Sequence, residues 1–310
     1  IDPLEILKTM GAEILRAWVA MVDYREEISI GKETLDRVAE AYRKIRNTFR
    51  YLISNLYDFN PVEDSVKNEE LEPLDRWALD QLSELTQRVV DAYEGYEYHI
   101  VYHSLYRFCV VEMSAFYLDI NKDRLYVSHP QSKKRRAAQT AMYRILDQLV
   151  RLAAPVFSFT TEEVWREMPA VDGKAESVHL MQFHSAEQSL LTQQEKTDWA
   201  RLAEYREVVL KLMEEARQRK EIGSSLEAEV VVHYPSDDEQ LIRQYELFLP
   251  ELFIASQVSV QPSSELRFEV RKAEGKKCMR CWQIRKDVGQ NANYPEVCAR
   301  CAAVLEELAV

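Results

Sequence analysis

Four cysteines near the end of the chain form the residue pattern with the clearest chemistry. Cys278 and Cys281 make one Cys-x-x-Cys pair, Cys298 and Cys301 make a second, and sixteen residues separate the pairs. Each x-x turn lets both sulfur atoms of a pair face one point, so four thiolates can surround one Zn²⁺ tetrahedrally. Four thiolates leave no coordination position for water, which predicts a structural zinc site. Two disulfides are the alternative, but an odd total of five cysteines favours reduced thiols.

The cysteines follow a basic stretch of a chain that is acidic overall. Residues 267–286 hold eight Lys or Arg against two Glu, whereas the formal net charge is −12. That net charge argues against broad nucleic-acid binding, so any RNA contact should come from local basic patches. Trp282 could stack on a base or could instead cover the zinc site. Arg280 and Arg285 could bind phosphates or base edges, and a solvated basic face is the alternative.

A second basic patch lies on a helix predicted over 32–57. Apolar residues recur there every three or four positions and should form one core-facing stripe. Polar residues that could contact RNA flank this stripe, with solvated cations as the alternative: Arg43, Lys44, Arg46, Asn47 and Arg50. A third run, 133–136, begins a helix, where positive charge opposes the macrodipole. We interpret that third run as a solvated surface.

No set of residues typical of a catalytic site is found. The six histidines are scattered, and His99 and His103 lack a third ligand nearby in the sequence. Walker, GxGxxG, GxSxG and HExxH motifs are absent. Cys109 lies among apolar residues and is expected to be a buried, unreactive thiol. These features favour a binding function over catalysis.

The sequence predicts a mainly α fold, in which a helical bundle is followed by a small α+β junction and a four-cysteine zinc knuckle. Seven glycines in 310 residues and long Leu/Ala/Glu/Arg-rich stretches favour helices. Polar residues 121–124 predict a loop, and 160–163 predict a helix N-cap. Further helices are predicted over 73–92, 100–118, 133–152, 195–222 and 237–248, and strands over 229–234, 258–260 and 266–270.

The chain shows no feature of a membrane or secreted protein. Its longest apolar stretches are shorter than the ~20 residues that cross a bilayer, and no signal peptide opens it. A soluble protein is therefore expected. Because the first residue is Ile1 and not Met, the chain is expected to be processed or excised from a longer one.

Several motifs resemble class I aminoacyl-tRNA synthetases, and their combination resembles the bacterial-type isoleucyl enzymes. Residues 278–282, Cys-Met-Arg-Cys-Trp, with 287–289 are similar to the zinc finger of those enzymes. Residues 43–52 resemble the first long helix of their anticodon-binding bundle. Other matching segments are 10–16 and 22–27, which follow the second ATP-binding signature, 116–126 and 154–165 in the bundle, and 222–228.

The resemblance implies a C-terminal fragment that follows the KMSKS loop. The implied domains are 1–30, which ends the connection to the catalytic core, an anticodon-binding bundle at 31–222, a junction at 223–273 and a zinc domain at 274–310. The implied partners are isoleucine tRNA and the catalytic and editing domains of the same chain. The parent enzyme would be a cytoplasmic, monomeric isoleucine–tRNA ligase that uses ATP and Mg²⁺. Because the HIGH and KMSKS signatures and the editing insertion are absent, the fragment alone should be non-catalytic.

Two other functions fit parts of the sequence. Certain DNA-repair glycosylases end in a similar four-cysteine finger, but they need an N-terminal catalytic proline or acid and a helix–two-turn–helix, which are not found. A structural scaffold that braces the parent's catalytic core is the other alternative, and it predicts no RNA affinity in isolation.

Overall fold

The computed structural model describes residues 2–309, which form two compact units. The first unit comprises the chain up to Asp119 together with Lys133–Leu191. The second unit comprises Ile120–Ser132 and the chain from Thr192 onward. The mainly α fold predicted from the sequence is confirmed. None of the helices within residues 2–309 has the length and hydropathy needed to cross a membrane.

Helices build the first unit, and their apolar stripes meet in its core. The long helix that carries the second basic patch buries the predicted stripe, with Ile45, Phe49 and Leu52 each at most 1% exposed. It packs on three neighbouring helices, which begin at Ala12, Lys133 and Ser158. The helices are α1 (Pro3–Thr9), α2 (Ala12–Met21), α3 (Lys32–Ser54), α4 (Pro73–Glu94), α5 (Tyr98–Arg107), α8 (Lys133–Ala153) and α9 (Ser158–Glu167).

The helix predicted over 100–118 is interrupted. α5 continues into a π-helix, Phe108–Tyr117, and then into the short α6, Leu118–Ile120. In the π-helix the Ser114 hydroxyl donates to the Cys109 carbonyl at 2.8 Å, and the Thr48 hydroxyl of α3 donates to the same carbonyl at 3.1 Å. Side-chain donors that reach a backbone carbonyl compete with the regular helical ladder.

Two further predictions of local structure were wrong. Residues 121–124 are not a loop, because α7 (Lys122–Val127) begins there and Arg124 is only 4% exposed. The run 160–163 is not an N-cap, because α9 already begins at Ser158. Thr161 is buried within α9 and donates its hydroxyl to the Phe157 carbonyl at 2.8 Å, which satisfies the hydroxyl inside the helix.

The second unit combines helices with a three-stranded sheet. The strand order is β2-β1-β3, with β1 parallel to β2 and antiparallel to β3, and these strands confirm the three predicted ones. α10 packs on β3, where Tyr205 meets Phe268 with ring centroids 5.0 Å apart. The elements are α7, α10 (Gln193–Gln218), β1 (Ala228–Tyr234), α11 (Glu239–Tyr245), α12 (Leu249–Phe253), β2 (Gln257–Pro262), β3 (Arg267–Lys272), β4 (Lys276–Lys277), β5 (Ile284–Arg285) and α13 (Ala299–Leu308).

Candidate metal centre and nucleic-acid interface

The four cysteines of the two Cys-x-x-Cys pairs converge on one point. Their sulfur atoms all lie within 4.8 Å of one another, and all four residues are buried. Sulfur atoms at the corners of a Zn–S tetrahedron with bonds of about 2.3 Å are about 3.8 Å apart, and the Cys281 and Cys298 sulfurs are separated by 3.9 Å. Within residues 2–309, this is the only such group of potential metal ligands. The donor set fits a tetrahedral zinc ion.

Backbone hydrogen bonds between nearby residues shape the loop that holds the first cysteine pair. The Cys278 amide donates to the Gln283 carbonyl, and the Trp282 amide donates to the Cys278 carbonyl, both at 2.9 Å. Gly275 precedes this loop with a φ of +132°, and a Cβ there would lie 2.6 Å from the Arg285 backbone. Only glycine allows β4 and β5 to approach this closely.

The second cysteine pair is placed by the start of α13. Cys298 is the N-cap residue of α13, and Cys301 lies in its first turn. The Cys298 amide donates to the Cys278 sulfur at 3.3 Å, which joins the two pairs. A hydrogen bond from Cys301 lowers the pKa of the Cys281 thiol, and the same contact raises the pKa of Cys301. The sulfurs are close enough to share protons, which a cation would replace.

Trp282 is exposed and adopts an unusual backbone conformation. Its side chain is 61% exposed, and the Lys277 ammonium lies 5.9 Å from its ring centroid. Its φ of +64° lies in the left-handed region, which costs a residue with a Cβ about 1–2 kcal/mol. Glycine would fit this backbone without that cost. A large aromatic side chain held in solvent at such a position favours a binding role.

Arg280 and Arg285, the other two residues of the cysteine module that were predicted to contact RNA, differ in their surroundings. Arg280 is half-buried, and its guanidinium donates to the Val127 carbonyl and lies 3.9 Å from the Cys301 sulfur. The Arg285 side chain is 39% exposed, with Asp287 3.8 Å from its Nε. Arg285 is therefore open to solvent, whereas Arg280 is engaged within the protein.

Much of the basic stretch 267–286 is neutralised by acidic partners. Arg271 binds Glu229 through two hydrogen bonds, at 2.9 and 3.0 Å, because the β1–β3 register places the two residues opposite each other. Arg267 pairs with Glu269, two residues further along β3, and Lys286 pairs with Glu274. Among residues 2–309 no ion pair is found for the exposed side chains of Lys272, Lys276 and Lys277. The sequence identified the basic stretch but could not separate these lysines from the paired arginines, because a partner such as Glu229 lies about forty residues from Arg271.

The predicted polar patch on α3 is exposed but divides into two groups. Arg43 pairs with Glu40, and Arg46 forms two contacts with Glu163 of α9, at 2.9 and 3.0 Å. No side-chain partner is found within residues 2–309 for the remaining three, which follow at intervals of three residues along the helix: Lys44, Asn47 and Arg50. Arg50 also borders a groove of about 340 Å³ between α3 and α9.

The third basic run is a solvated surface only in its first half: Lys133 and Lys134 are exposed, as interpreted from the sequence, but the two arginines that follow are not. Arg135 and Arg136 are 5% and 6% exposed. Arg135 binds both carboxylate oxygens of Asp58, at 2.6 and 2.9 Å, and Arg136 donates to the Asp58 carbonyl at 2.8 Å. These arginines tie the start of α8 to the segment after α3. The acidic partner lies 77 residues away, so local sequence could not predict it.

Cys109 is fully buried, and burial raises the pKa of its thiol to about 12, as expected for an unreactive cysteine.

Family models match two parts of the chain. Residues 75–232, or 158 of 310, match the model described as "Anticodon-binding domain of tRNA ligase". The chain belongs to the family of tRNA ligase anticodon-binding domains. Residues 275–304 of this anticodon-binding chain match a second model, "Zinc finger found in FPG and IleRS", which spans the four-sulfur cluster.

Relatives of this anticodon-binding chain are curated as isoleucine–tRNA ligases. It is 47% identical to the enzyme of Carboxydothermus hydrogenoformans over 99% of this chain and 34% of that protein. Identities of 44% and 47%, at the same coverage, relate it to the enzymes of Desulforamulus reducens and Syntrophotalea carbinolica. The chain thus spans about a third of the length of these relatives. The resemblance to bacterial-type isoleucyl-tRNA synthetases is confirmed.

A solved ternary complex of LeuRS, tRNA and LeuAMS from Agrobacterium radiobacter K84 aligns more distantly. Its TM-score is 0.43 at 12% identity, over 88% of this chain and 24% of that one.

Proposed function

We propose that this chain is the tRNA-binding part of an isoleucine–tRNA ligase, which attaches isoleucine to its tRNA in an ATP-dependent reaction. The observation that carries the proposal is the presence, in one chain, of the anticodon-binding family match and a buried four-sulfur cluster within a zinc-finger match. The identities of 41–47% to curated isoleucine–tRNA ligases support isoleucine as the amino acid. The chain by itself binds tRNA and performs no chemistry.

The zinc ion has a structural role in this proposal. Cys278, Cys281, Cys298 and Cys301 hold it and leave no open coordination position. The folded cysteine module then presents Trp282 and its neighbouring cations to the single-stranded anticodon loop. Unpaired bases in such loops expose their faces for stacking and their edges for hydrogen bonds.

The direct RNA contacts fall in two patches. On α3, Lys44 and Arg50 bind phosphates and Asn47 reaches a base or ribose, whereas Arg43 and Arg46 must first exchange their acidic partners. In the cysteine module, Trp282 stacks on a base. Arg285 and the lysines of β4 bind the adjoining backbone.

The remaining properties belong to the longer protein. The parent enzyme binds ATP and Mg²⁺ in a catalytic domain, carries a separate editing domain, and acts as a monomer in the cytoplasm. The domain boundaries at 30/31, 222/223 and 273/274 remain predictions, since the second unit already takes in α10, which begins at Gln193.

The test is binding of the zinc-loaded chain to isoleucine tRNA and to the same tRNA with its anticodon replaced, across a salt series. We expect replacement to weaken binding at least tenfold, and the ratio to persist as salt rises, because base contacts are less salt-dependent than phosphate contacts. Equal affinities that collapse together with salt would reduce the interaction to backbone attraction. No measurable binding to either tRNA would instead favour the scaffold function.

A further inference from the structure

Helix α7 belongs with the cysteine module, although about 150 residues separate them in the chain. Val127, the last residue of α7, is 8% exposed and forms one buried cluster with Val297 and the four cysteines. Both segments lie in the second unit. An apolar side chain against the sulfur cluster gives the metal centre a wall that the cysteine module does not supply itself.

Each Cys-x-x-Cys pair sends one arginine to α7. Arg280 and Arg300 occupy the same place in the two pairs, directly before the second cysteine. Arg280 donates to the Val127 carbonyl at the end of α7, and Arg300 binds both carboxylate oxygens of Asp123 in its first turn. The two arginines thus hold α7 at both ends.

The chemistry of these contacts suits a metal-bound state. A zinc ion with four thiolates carries a net charge of about −2, and the Arg280 guanidinium lies 3.9 Å from the Cys301 sulfur. One guanidinium can therefore offset thiolate charge while it binds the α7 carbonyl. The planar fork of Arg300 matches the Asp123 carboxylate bidentately, which fixes orientation as well as distance.

We propose that Arg280 and Arg300 are positioning residues that clamp the cysteine module onto α7 and so fix the direction in which Trp282 faces the RNA. The RNA part of this inference rests on the proposed function, whereas the clamp itself does not. Arg280 accordingly acts through the position of the module and does not contact a base. Order in α7 depends on the metal, even though α7 holds no metal ligand.

The first test reverses the charges of the exposed pair in the metal-loaded chain. Asp123→Arg and Arg300→Asp should each keep one zinc per chain but speed amide exchange of residues 122–127 at least fivefold. Each should also reduce the discrimination between the two tRNAs severalfold. The double variant restores opposite charges, so it should recover most of the slow amide exchange in residues 122–127 and most of the discrimination between the two tRNAs. Reversal of the exposed pair Glu239 and Arg243 of the same unit is the matched control and should change neither.

Chelation of zinc from the unmutated chain is the second test, and it needs no variant to fold. We expect amide protection to fall in residues 122–127 together with 276–302, while α3 and α8 keep theirs. Unchanged exchange in 122–127 after chelation, or single reversals that behave like the control, would overturn the clamp. If the unmutated chain fails to discriminate the two tRNAs, the proposed function fails, and the exchange data still decide the clamp.

Discussion

At the scale of single residues, type alone did not determine role. Five of the predicted RNA contacts are arginines, yet Arg280 donates to a backbone carbonyl within the protein and Arg46 is paired with Glu163. Lys276 and Lys277, which the sequence placed in the same basic stretch, are exposed. Whether a cation is engaged or accessible depends on whether a partner that is distant in the sequence lies beside it in the fold. The cysteine ligands could be named because their spacing alone nearly determines their geometry.

Trp282 offers a way to separate stability from binding. In Trp282→Gly the left-handed backbone no longer carries a Cβ, so zinc retention and thermal stability should be equal or slightly higher. Loss of one base–aromatic stack should weaken tRNA binding by about 1–3 kcal/mol, which is roughly 5- to 150-fold in Kd. Binding of isoleucine tRNA to the zinc-loaded variant, measured with its melting temperature, tests both expectations.

Met279 supplies the control for that substitution, because its side chain is also 61% exposed and lies in the same loop. Met279→Ala should leave tRNA affinity within about twofold. If Trp282→Gly loses zinc, or if both variants bind like the unmutated chain, Trp282 covers the metal site or has no binding role.

At the scale of elements, periodic apolar patterns were reliable and polar ones were not. The three-and-four spacing on α3 predicted a buried stripe, and the structure buries it. The polar residues 121–124 predicted a loop. In the structure Asn121 and Arg124 are buried, and Asn121 is the N-cap residue of α7 whereas Arg124 lies within the helix. The π-helix was not predicted; one of the hydrogen bonds to its Cys109 carbonyl comes from Thr48 of a different helix. Local sequence does not contain such tertiary hydrogen bonds.

The start of α8 depends on an ion pair between the buried Arg135 and the half-buried Asp58. Asp58→Asn leaves the guanidinium of Arg135, which is 5% exposed, without its carboxylate, and should destabilise the chain by about 3–5 kcal/mol at pH 7. Glu70→Gln is the matched control, because Glu70 pairs with Lys133 at an exposed site, where the pair is screened by solvent and its loss should leave stability almost unchanged. Urea unfolding followed by circular dichroism measures both changes.

The ion pair between Asp58 and Arg135 also predicts how the stability of the chain changes with pH. Burial alone would raise the pKa of Asp58, but hydrogen bonds from Arg135 and Gln139 outweigh it and lower the pKa below its ordinary value. A lowered folded-state pKa contributes stability above the unfolded value of about 3.9, which is lost as pH falls through the folded value. The stability gap between the unmutated chain and Asp58→Asn should therefore narrow below about pH 4. A gap that stays constant down to pH 2 would mean that the Asp58 charge is not what stabilises α8.

At the scale of the whole molecule, an acidic chain offers few cations to a polyanion. The formal charge is −12, and the accessible cations of the proposed interface are a small set: Lys44, Arg50, Lys276, Lys277 and Arg285. Each neutralised phosphate contributes about 0.7–0.9 to the slope of log K against log salt. The slope should therefore lie between about −3 and −5, which is shallow for a nucleic-acid-binding protein.

Because the accessible cations are few, the chain should bind duplex DNA, the ligand that the glycosylase alternative requires, much more weakly than tRNA. Duplex DNA offers phosphates but no unpaired bases for Trp282, so the only attraction left to it comes from those few cations within a repelling field. We expect duplex DNA to compete at least a hundredfold less well than isoleucine tRNA at 150 mM salt, in a filter or anisotropy assay. Lys44→Ala with Lys276→Ala should flatten the tRNA slope by about 2, whereas Lys211→Ala, an exposed lysine of α10, should leave it unchanged. Equal competition by duplex DNA would show that the cysteine module reads the shape or charge of a duplex, and the anticodon loop would no longer be its target.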